Sequence, residues 1–247
     1  YRKVCQDMLD KFQASNETDA RQLTGWACAL APDALTDYSR AIDLLQRAQE
    51  LATSPSYHLG TLLYRSGEFE KALGDYDRAL DLHPLDADAL NNRGMLHLYR
   101  TNYAAALADF NRALDIDSSD TTVMVNRGLA QLHGGNAAAA LVDFREAAQM
   151  DQSDAAAQYG AAQAAATMGN REEAFRHIGR ALELDPADAR EAAADPRLAI
   201  LSGDEEFLKL LRQTGPRRGR FSAVELRILG HHPGLGAGYA LPGPLEL

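Results

Sequence analysis

Few residues of this chain have the types and spacing that chemistry would require. His231 and His232 could ligate a metal, but they lie among Gly and Pro with no Cys or carboxylate at ligand spacing. Zinc needs three or four converging ligands, so we interpret the two histidines as a solvated loop. No HExxH, Walker phosphate loop, GxSxG or dinucleotide fingerprint occurs either. The sequence therefore predicts no catalytic residue, no cofactor and no metal, and hence a protein that is not an enzyme.

The remaining reactive groups have structural interpretations. Cys5 lies in a predicted helix, where a lone cysteine usually acts as a small core residue. The basic run RRGR at 217–220 is interpreted as solvated rather than as a contact for an acidic partner. The Gly-rich HGGN at 133–136 is interpreted as a turn between two helices.

Residue types recur along the chain at a fixed interval of 34 residues. NNRG at 91–94 is followed by VNRG at 125–128. Alanine recurs without exception in two further columns, which are Ala72, Ala106, Ala140 and Ala174, and Ala79, Ala113, Ala147 and Ala181. A period of this size is typical of a repeat architecture.

Each 34-residue row reads as two short helices joined by a tight turn. Leu73, Tyr76 and Leu80 show the three- and four-residue spacing of an amphipathic helix. Gly67, Gly135 and Gly169 fall between the two helical segments, where a left-handed residue would end a helix. The small columns predict places where two helices cross closely.

The row 53–86 resembles the tetratricopeptide repeat (TPR) family through Leu59, Gly60, Gly67, Ala72, Tyr76, Ala79 and Pro84. Rows 87–120, 121–154 and 155–188 keep most of this pattern, so we expect four repeats over 53–188. The resemblance implies an all-α fold, a right-handed superhelical solenoid of antiparallel helix pairs. A capping helix is expected at its C-terminal end. From the rows we predict helix starts at Ser56, Phe69, Ala87, Tyr103, Thr121, Ala137, Ala155 and Arg171.

The flanking segments depart from the pattern. We interpret residues 1–52 as an N-terminal helix followed by a degenerate first repeat, and 189–214 as a capping segment in which the period breaks. Residues 215–247 are rich in Gly and Pro and are expected to be mostly disordered. The chain also resembles the C-terminal TPR region of large bacterial multidomain proteins, and it opens without an initiator Met. We therefore expect a fragment of a longer protein.

Arg93 and Arg127 occupy a column where the family usually has Leu, so they should be partly buried and need a carboxylate. Asp75, Asp109 and Asp143 form a column of their own. Arg93 could pair within its row, with Asp109, or with the row before, through Asp75. Either scheme leaves one aspartate over, and the sequence does not decide between them.

The resemblance implies a peptide-binding groove on the concave face, which the first helix of each repeat lines. Tyr159 and Gln163 belong to the fourth row of this face. The Lys positions of the family's clamp for chaperone tails hold Tyr57, Asn91 and Val125 here, so we expect another ligand. The predicted site is Tyr57, His58, Thr61, Tyr64, Arg65, Asn91, Asn92, Met95, Tyr99, Asn126, Leu129 and His133.

Within that groove we predict a central pair of amides, Asn92 and Asn126. Asn is a poor helix residue, so its recurrence at one repeat position needs a reason. An exposed amide offers a donor and an acceptor to an extended peptide backbone. One structural alternative stays open, in which each amide bonds a neighbouring helix.

Two functional interpretations follow. The first is a non-catalytic scaffold that binds another protein or peptide. The second is the regulatory end of a larger enzyme, such as a bacterial Ser/Thr kinase, whose catalytic domain is absent from this chain. Self-association through the Ala-rich row 155–188 is a weaker possibility, and the sequence leaves the oligomeric state open.

The composition narrows the class of partner. The net charge of −10 argues against nucleic acid. The chain has no run of 18 apolar residues, so the sequence predicts no membrane span. With only two cysteines, the chain has no disulfide framework, and we expect a cytoplasmic protein.

Overall fold

The computed structural model describes residues 2–12, 38–51, 58–185 and 189–213, and the regular elements in these ranges are all helical. Two helices come first, α1 (Arg2–Phe12) and α2 (Ser39–Leu51). Four helix pairs follow, which are α3 (His58–Arg65) with α4 (Phe69–Leu82), α5 (Ala87–Tyr99) with α6 (Tyr103–Ile116), α7 (Thr121–His133) with α8 (Ala137–Met150), and α9 (Ala155–Thr167) with α10 (Arg171–Leu184). The described part closes with α11 (Ala189–Ala194), a 3-10 turn (Pro196–Leu201) and α12 (Glu205–Gln213).

Side-chain caps recur with the period and set where the helices begin. The carboxylates of Asp86, Asp120 and Asp154 accept backbone N–H groups at the starts of α5, α7 and α9. Asn102 and its equivalents cap the second helices in the same way. The predicted starts at Phe69, Ala87, Tyr103, Thr121, Ala137, Ala155 and Arg171 are confirmed. The predicted start at Ser56 lies outside the described residues.

The tight turn inside each pair depends on one residue with a left-handed backbone. Gly67, Gly135 and Gly169 have φ of +83°, +87° and +79°. A residue without a Cβ adopts this conformation at little cost. Thr101 stands at the equivalent place in the second repeat and is held at φ +58°. The second repeat therefore keeps the turn with a β-branched residue that disfavours it.

Within each repeat the helices approach closely at the predicted glycine column. A Cβ built on Gly60 would lie 2.6 Å from Tyr76, one on Gly94 would lie 2.7 Å from Phe110, and one on Gly128 would lie 2.9 Å from Phe144. Each aromatic ring thus occupies the space that a side chain at the glycine would need. The alanine columns are fully buried beside these rings, so the small residues determine how near the helices lie.

The first helices of neighbouring repeats touch one another along α5, α7 and α9, whereas the second helices contact each other less. The first helices therefore line the inner side of a solenoid, as predicted. Helix α9 is the most enclosed of them, because all its residues from Ala155 to Ala166 except Gln158 are buried. Its alanines are buried within the chain, and self-association through the row 155–188 stays a prediction.

The period continues past Pro186, where we expected it to break. Gly203 follows Gly169 by 34 residues, and α12 begins 34 residues after α10. Asp195 and Pro196 fall in the Arg93 and Gly94 columns. Proline lacks the N–H that a helix interior needs, so α11 ends at Ala194 and a 3-10 turn follows. The capping segment thus keeps the 34-residue spacing at Gly203 and at the start of α12, and the interpretation of 189–214 as a cap stays a prediction. Residues 215–247 lie outside the described ranges.

Candidate peptide-binding groove

The structure places the predicted groove residues in two environments. Thr61, Tyr64, Asn92 and Tyr99 are half-buried, and His133 is exposed. Tyr57 lies outside the described residues, as do the side chains of His58 and Arg65. The other predicted residues, which are Asn91, Met95, Asn126 and Leu129, are buried.

The hypothesis of an exposed amide ladder is wrong for Asn126. This residue is 0% exposed, and its Nδ2 donates a hydrogen bond of 2.8 Å to Oδ1 of Asn91 on the neighbouring repeat. Asn91 is itself only 5% exposed. For Asn126 the structural alternative is therefore correct, because its amide bonds Asn91 and so joins α7 to α5. Asn92 is half-buried and keeps the exposure that its predicted role needs.

Aromatic rings form two groups where the ends of first helices meet the starts of second helices. We call Tyr64, Phe69, Tyr99, Tyr103 and His133 the aromatic stripe. The ring centroids of Phe69 and Tyr99 are 4.8 Å apart, and those of Tyr64 lie 5.5 Å from Phe69 and 6.5 Å from Tyr99. One repeat further, Tyr103 stacks on His133 at 6.3 Å. The Phe69–Tyr99 and Tyr103–His133 contacts are therefore the same contact, repeated 34 residues later.

Sequence reasoning missed Phe69 and Tyr103 as members of the site. Both are the first residues of second helices and stand 34 residues apart. That recurrence is the signal in the sequence that marks them, although they lie on second helices and the family's groove is lined by first helices. In the fold, the first turn of each second helix lies beside the end of the next repeat's first helix. The groove edge is therefore shared between the two helices of a repeat.

Thr61 is held in place from inside its own repeat. Its Oγ1 lies 3.3 Å from the hydroxyl of Tyr76, whose ring packs beside Gly60. This contact links the groove surface of α3 to the packing of α4. Thr61 is therefore positioned by the same ring that sets the spacing of the two helices.

The 3-10 turn closes the far end of the groove. It packs more against α9 than against α10, whereas the regular first helices pack mainly against the preceding second helix. The carboxylate of Asp195 accepts 2.6 Å and 3.3 Å hydrogen bonds from Gln163 and Tyr159 on the groove side of α9. Nη2 of Arg197 lies 3.1 Å from Nδ1 of His133. The turn thus covers the groove positions of the fourth repeat and reaches the end of the aromatic stripe.

The charge state of His133 is set by these neighbours. Burial of the ring against Tyr103 lowers its pKa, and the positive charge of Arg197 lowers it further. The carboxylate of Asp195 partly opposes both effects. Although His133 is exposed as a whole residue, its ring is sheltered on the Tyr103 side, which explains why burial dominates. The neutral ring can then accept a hydrogen bond from Arg197.

Arg93 and Arg127 are engaged behind the groove. Arg93 bonds both carboxylate oxygens of Asp109, and Arg127 does the same with Asp143. Pairing within the row is therefore the correct alternative of the two. Asp75, which the other scheme required, has Arg78 of its own helix at 3.7 Å instead. These arginines are structural and are not available to a ligand.

The described residues offer little other chemistry. Within them, no group of three or more His, Cys, Asp or Glu side chains could hold a metal ion. Cys5 is buried in the core beside α2, as predicted for a small core residue. None of the helices in the described ranges is long and apolar enough to cross a membrane. The notable surface of this part of the chain is therefore the groove with its aromatic stripe.

Comparison with known proteins defines the class. The tetratricopeptide repeat family matches residues 57–121, 95–155 and 155–188, which together cover more than half of the chain. The chain therefore belongs to the tetratricopeptide repeat family. This is a class of protein–protein interaction scaffolds, so the expected partner is another protein or peptide.

Individual relatives are more distant. The photosystem I assembly protein Ycf3 of Rippkaea orientalis is 26% identical over 103 residues, which is 39% of this chain and 60% of that protein. A solved chain of MamA from Desulfovibrio magneticus RS-1, which starts at its residue 41, superposes with a TM-score of 0.60 at 17% identity, covering 69% of this chain and 96% of that one. YrrB, a TPR protein with an unusual peptide-binding site, superposes with a TM-score of 0.57 at 21% identity, covering 70% of this chain and 93% of the YrrB chain. These likenesses in structure establish the solenoid fold. The predicted role at the end of a larger enzyme and the cytoplasmic location stay predictions.

Proposed function

We propose that this protein binds an extended peptide segment of a partner protein along the aromatic stripe on the groove side of the solenoid. The observation that carries the proposal is the repeated ring contact, Phe69 with Tyr99 and Tyr103 with His133. A line of rings with the spacing of the repeats offers successive side chains of an extended peptide equivalent apolar surfaces. Tyr99 and Tyr103 also carry a hydroxyl that can donate or accept a hydrogen bond.

Half-burial supports a binding role for these rings rather than a core role. Phe110 and Phe144, which pack inside the repeats, are fully buried. Tyr64, Phe69, Tyr99 and Tyr103 instead keep part of their surface in solvent. Aromatic residues that are rigid and only partly covered are the side chains most enriched at the centres of protein interfaces. Thr61 and Asn92 add polar groups beside the stripe.

The test is selection of binding peptides from a displayed library of random 12-residue sequences on the purified protein. Enriched peptides are synthesised, and their Kd is measured by fluorescence anisotropy against the parent and Tyr99→Ala. We expect Tyr99→Ala to weaken binding by about tenfold, the effect of removing one interface hot spot. Circular dichroism on heating would show whether the variant is still folded.

Val142→Ala is the matched control, because Val142 is an apolar side chain that is 59% exposed on the second helix α8. It should leave the Kd unchanged. Equal affinity of the Tyr99→Ala and Val142→Ala variants would contradict the proposal, as would failure of any peptide to be enriched.

A further inference from the structure

Arg197 differs from four arginines of the solenoid that form ion pairs. Arg93, Arg127, Arg145 and Arg171 each meet a carboxylate. The Arg197 guanidinium instead meets the Nδ1 atom of His133 at 3.1 Å. Among the described residues, no carboxylate oxygen lies within 4.0 Å of it. A cation is thus held at the groove with a neutral ring as its partner.

The nearest carboxylate is already committed elsewhere. Asp195 is two residues away, and its Oδ1 accepts the backbone N–H of Arg197 at 2.8 Å. Its Oδ2 accepts from Gln163 and Tyr159. These bonds orient Asp195 toward α9 and cap the 3-10 turn. They leave the Arg197 guanidinium without a charged partner.

Arg197 lies where a peptide bound along the aromatic stripe would reach its guanidinium. His133 is the last ring of the aromatic stripe, and Arg197 lies directly against it. A peptide that follows the stripe toward the fourth repeat meets the 3-10 turn there. Both side chains keep part of their surface in solvent, so a group on the peptide can reach the guanidinium from the groove.

We propose that Arg197 and His133 form a carboxylate subsite at the closed end of the groove, which takes a carboxylate of the bound peptide. The inference rests on the proposed function, because it states that the peptide bound along the aromatic stripe carries a carboxylate. A planar carboxylate matches the two parallel N–H groups of a guanidinium. The subsite belongs to the 3-10 turn and the third repeat. It is separate from Tyr57, Asn91 and Val125, which stand where the family's lysine clamp would be.

The subsite also predicts proton uptake. The groups that face His133 are Tyr103 from α6, and Arg197 and Asp195 from the 3-10 turn. A bound carboxylate would offset the charge of Arg197, so the pKa of His133 is higher in the complex than in the free protein. By linkage, the complex takes up a proton, and affinity rises as pH falls below about 6.5. The affinity levels off once the pH is below the lowered pKa of His133 in the free protein.

Two small probes test the subsite on the full chain. N-acetyl-tyrosyl-tyrosine carries a free carboxylate, and N-acetyl-tyrosyl-tyrosinamide is its neutral match. Binding is followed by NMR on the ring signals of His133, Tyr64 and Tyr99. We expect the acid to bind about fivefold more tightly than the amide at pH 7, the gain typical of a partly exposed ion pair. N-acetyl-tyrosyl-aspartyl-tyrosinamide separates a side-chain carboxylate from a terminal one.

Variants assign the difference to the guanidinium. Arg197→Gln should remove the preference for the acid, and Arg197→Lys should keep part of it. Arg176→Gln, an exposed arginine on α10, is the matched control and should leave the preference unchanged. His133→Gln should remove the rise in affinity toward pH 5.5. Heating curves of each variant check that the fold is retained.

The outcomes separate the two proposals. Equal affinity for acid and amide, with shifts along the stripe, would overturn the subsite and leave the peptide-binding groove standing. Acid-specific shifts at His133 without shifts at Tyr64 and Tyr99 would support the subsite and contradict binding along the stripe. If neither probe shifts any ring, both proposals are wrong. A preference for the acid that survives Arg197→Gln would also overturn the subsite.

Discussion

Arg93 binds both carboxylate oxygens of Asp109 through one edge of its guanidinium, with Nε donating to Oδ2 at 2.8 Å and Nη2 to Oδ1 at 2.6 Å. Its Nη1 also donates to Asp77 of the preceding repeat at 2.7 Å. One side chain on α5 therefore joins α4, α5 and α6. Arg127 repeats the arrangement with Asp143 and Asn111. The carboxylates stabilise the charged arginine, so the pKa of Arg93 is raised, most of all by its bonds to Asp109.

Arg93→Leu should destabilise the protein more than loss of a surface ion pair. Asp109 is buried, so removal of its partner leaves an uncompensated charge, which costs about 3 kcal/mol. Arg100→Leu is the control, because Arg100 pairs with the exposed Glu70 and should cost less than about 1 kcal/mol. Urea unfolding gives both values. The double variant Arg93→Leu with Asp109→Leu should recover part of the loss, and strict additivity would show that the pair is not coupled.

Gly94→Ala should reduce the free energy of unfolding. The added Cβ would lie 2.7 Å from Phe110, and overpacking of a core typically costs about 1–3 kcal/mol. Gly94→Leu should be at least as costly. Gly74→Ala on α4 is the matched control, since a Cβ there meets nothing within 4 Å. It should stabilise the helix by about 0.5–1 kcal/mol. A Gly94→Ala variant as stable as Gly74→Ala would show that the helices can move apart freely.

Asn126→Ala should destabilise folding by about 1–3 kcal/mol, because Asn91 would be left buried without its hydrogen bond. Asn92→Ala should be close to neutral, since Asn92 is half-buried. Denaturant midpoints of the two variants measure the difference. Equal stability of the two variants would show that the Asn91–Asn126 hydrogen bond contributes little to folding.

Thr101→Gly should stabilise the second repeat. Thr101 has φ +58° at a turn where the other repeats use glycine. A left-handed conformation costs a residue with a Cβ about 1–2 kcal/mol, although glycine also gains entropy in the unfolded chain. We therefore expect a net gain of about 0.5–1 kcal/mol on thermal unfolding. Gly135→Thr at the equivalent turn should show the opposite sign, and a loss of stability in Thr101→Gly would contradict this account.

Stability should decline as pH falls from about 7 to about 5. Burial lowers the pKa of His97, of His133 and of His177, and each shift is partly offset by a nearby carboxylate. The unfolded chain therefore binds more protons than the native chain below about pH 6.5, which favours unfolding. The lowered pKa values of Glu68, Glu173 and Asp204 act at lower pH. His97→Gln with His177→Gln should flatten the slope, and an unchanged slope would contradict this assignment.

The sequence by itself determined the period, the helix pairs and the family. Each depends on local chemistry that recurs every 34 residues. The caps at Asp86 and Asn102 and the turn at Gly67 begin and end helices through nearby backbone groups. Such signals need no knowledge of distant contacts. They did not show that Gly203 keeps the 34-residue spacing, because Pro196 stands in the glycine column just before it.

Tertiary structure alone decided which residues of the groove face are available to a ligand. Asn92 and Asn126 have the same type and the same repeat position, yet Asn126 is buried against Asn91 and Asn92 is not. The choice of Asp109 over Asp75 for Arg93 likewise depends on how two helices cross. Arg197 and His133 are 64 residues apart in sequence, and they meet only because the 3-10 turn packs against α9. Periodicity specifies equivalent positions, but burial and pairing depend on what each neighbouring repeat presents.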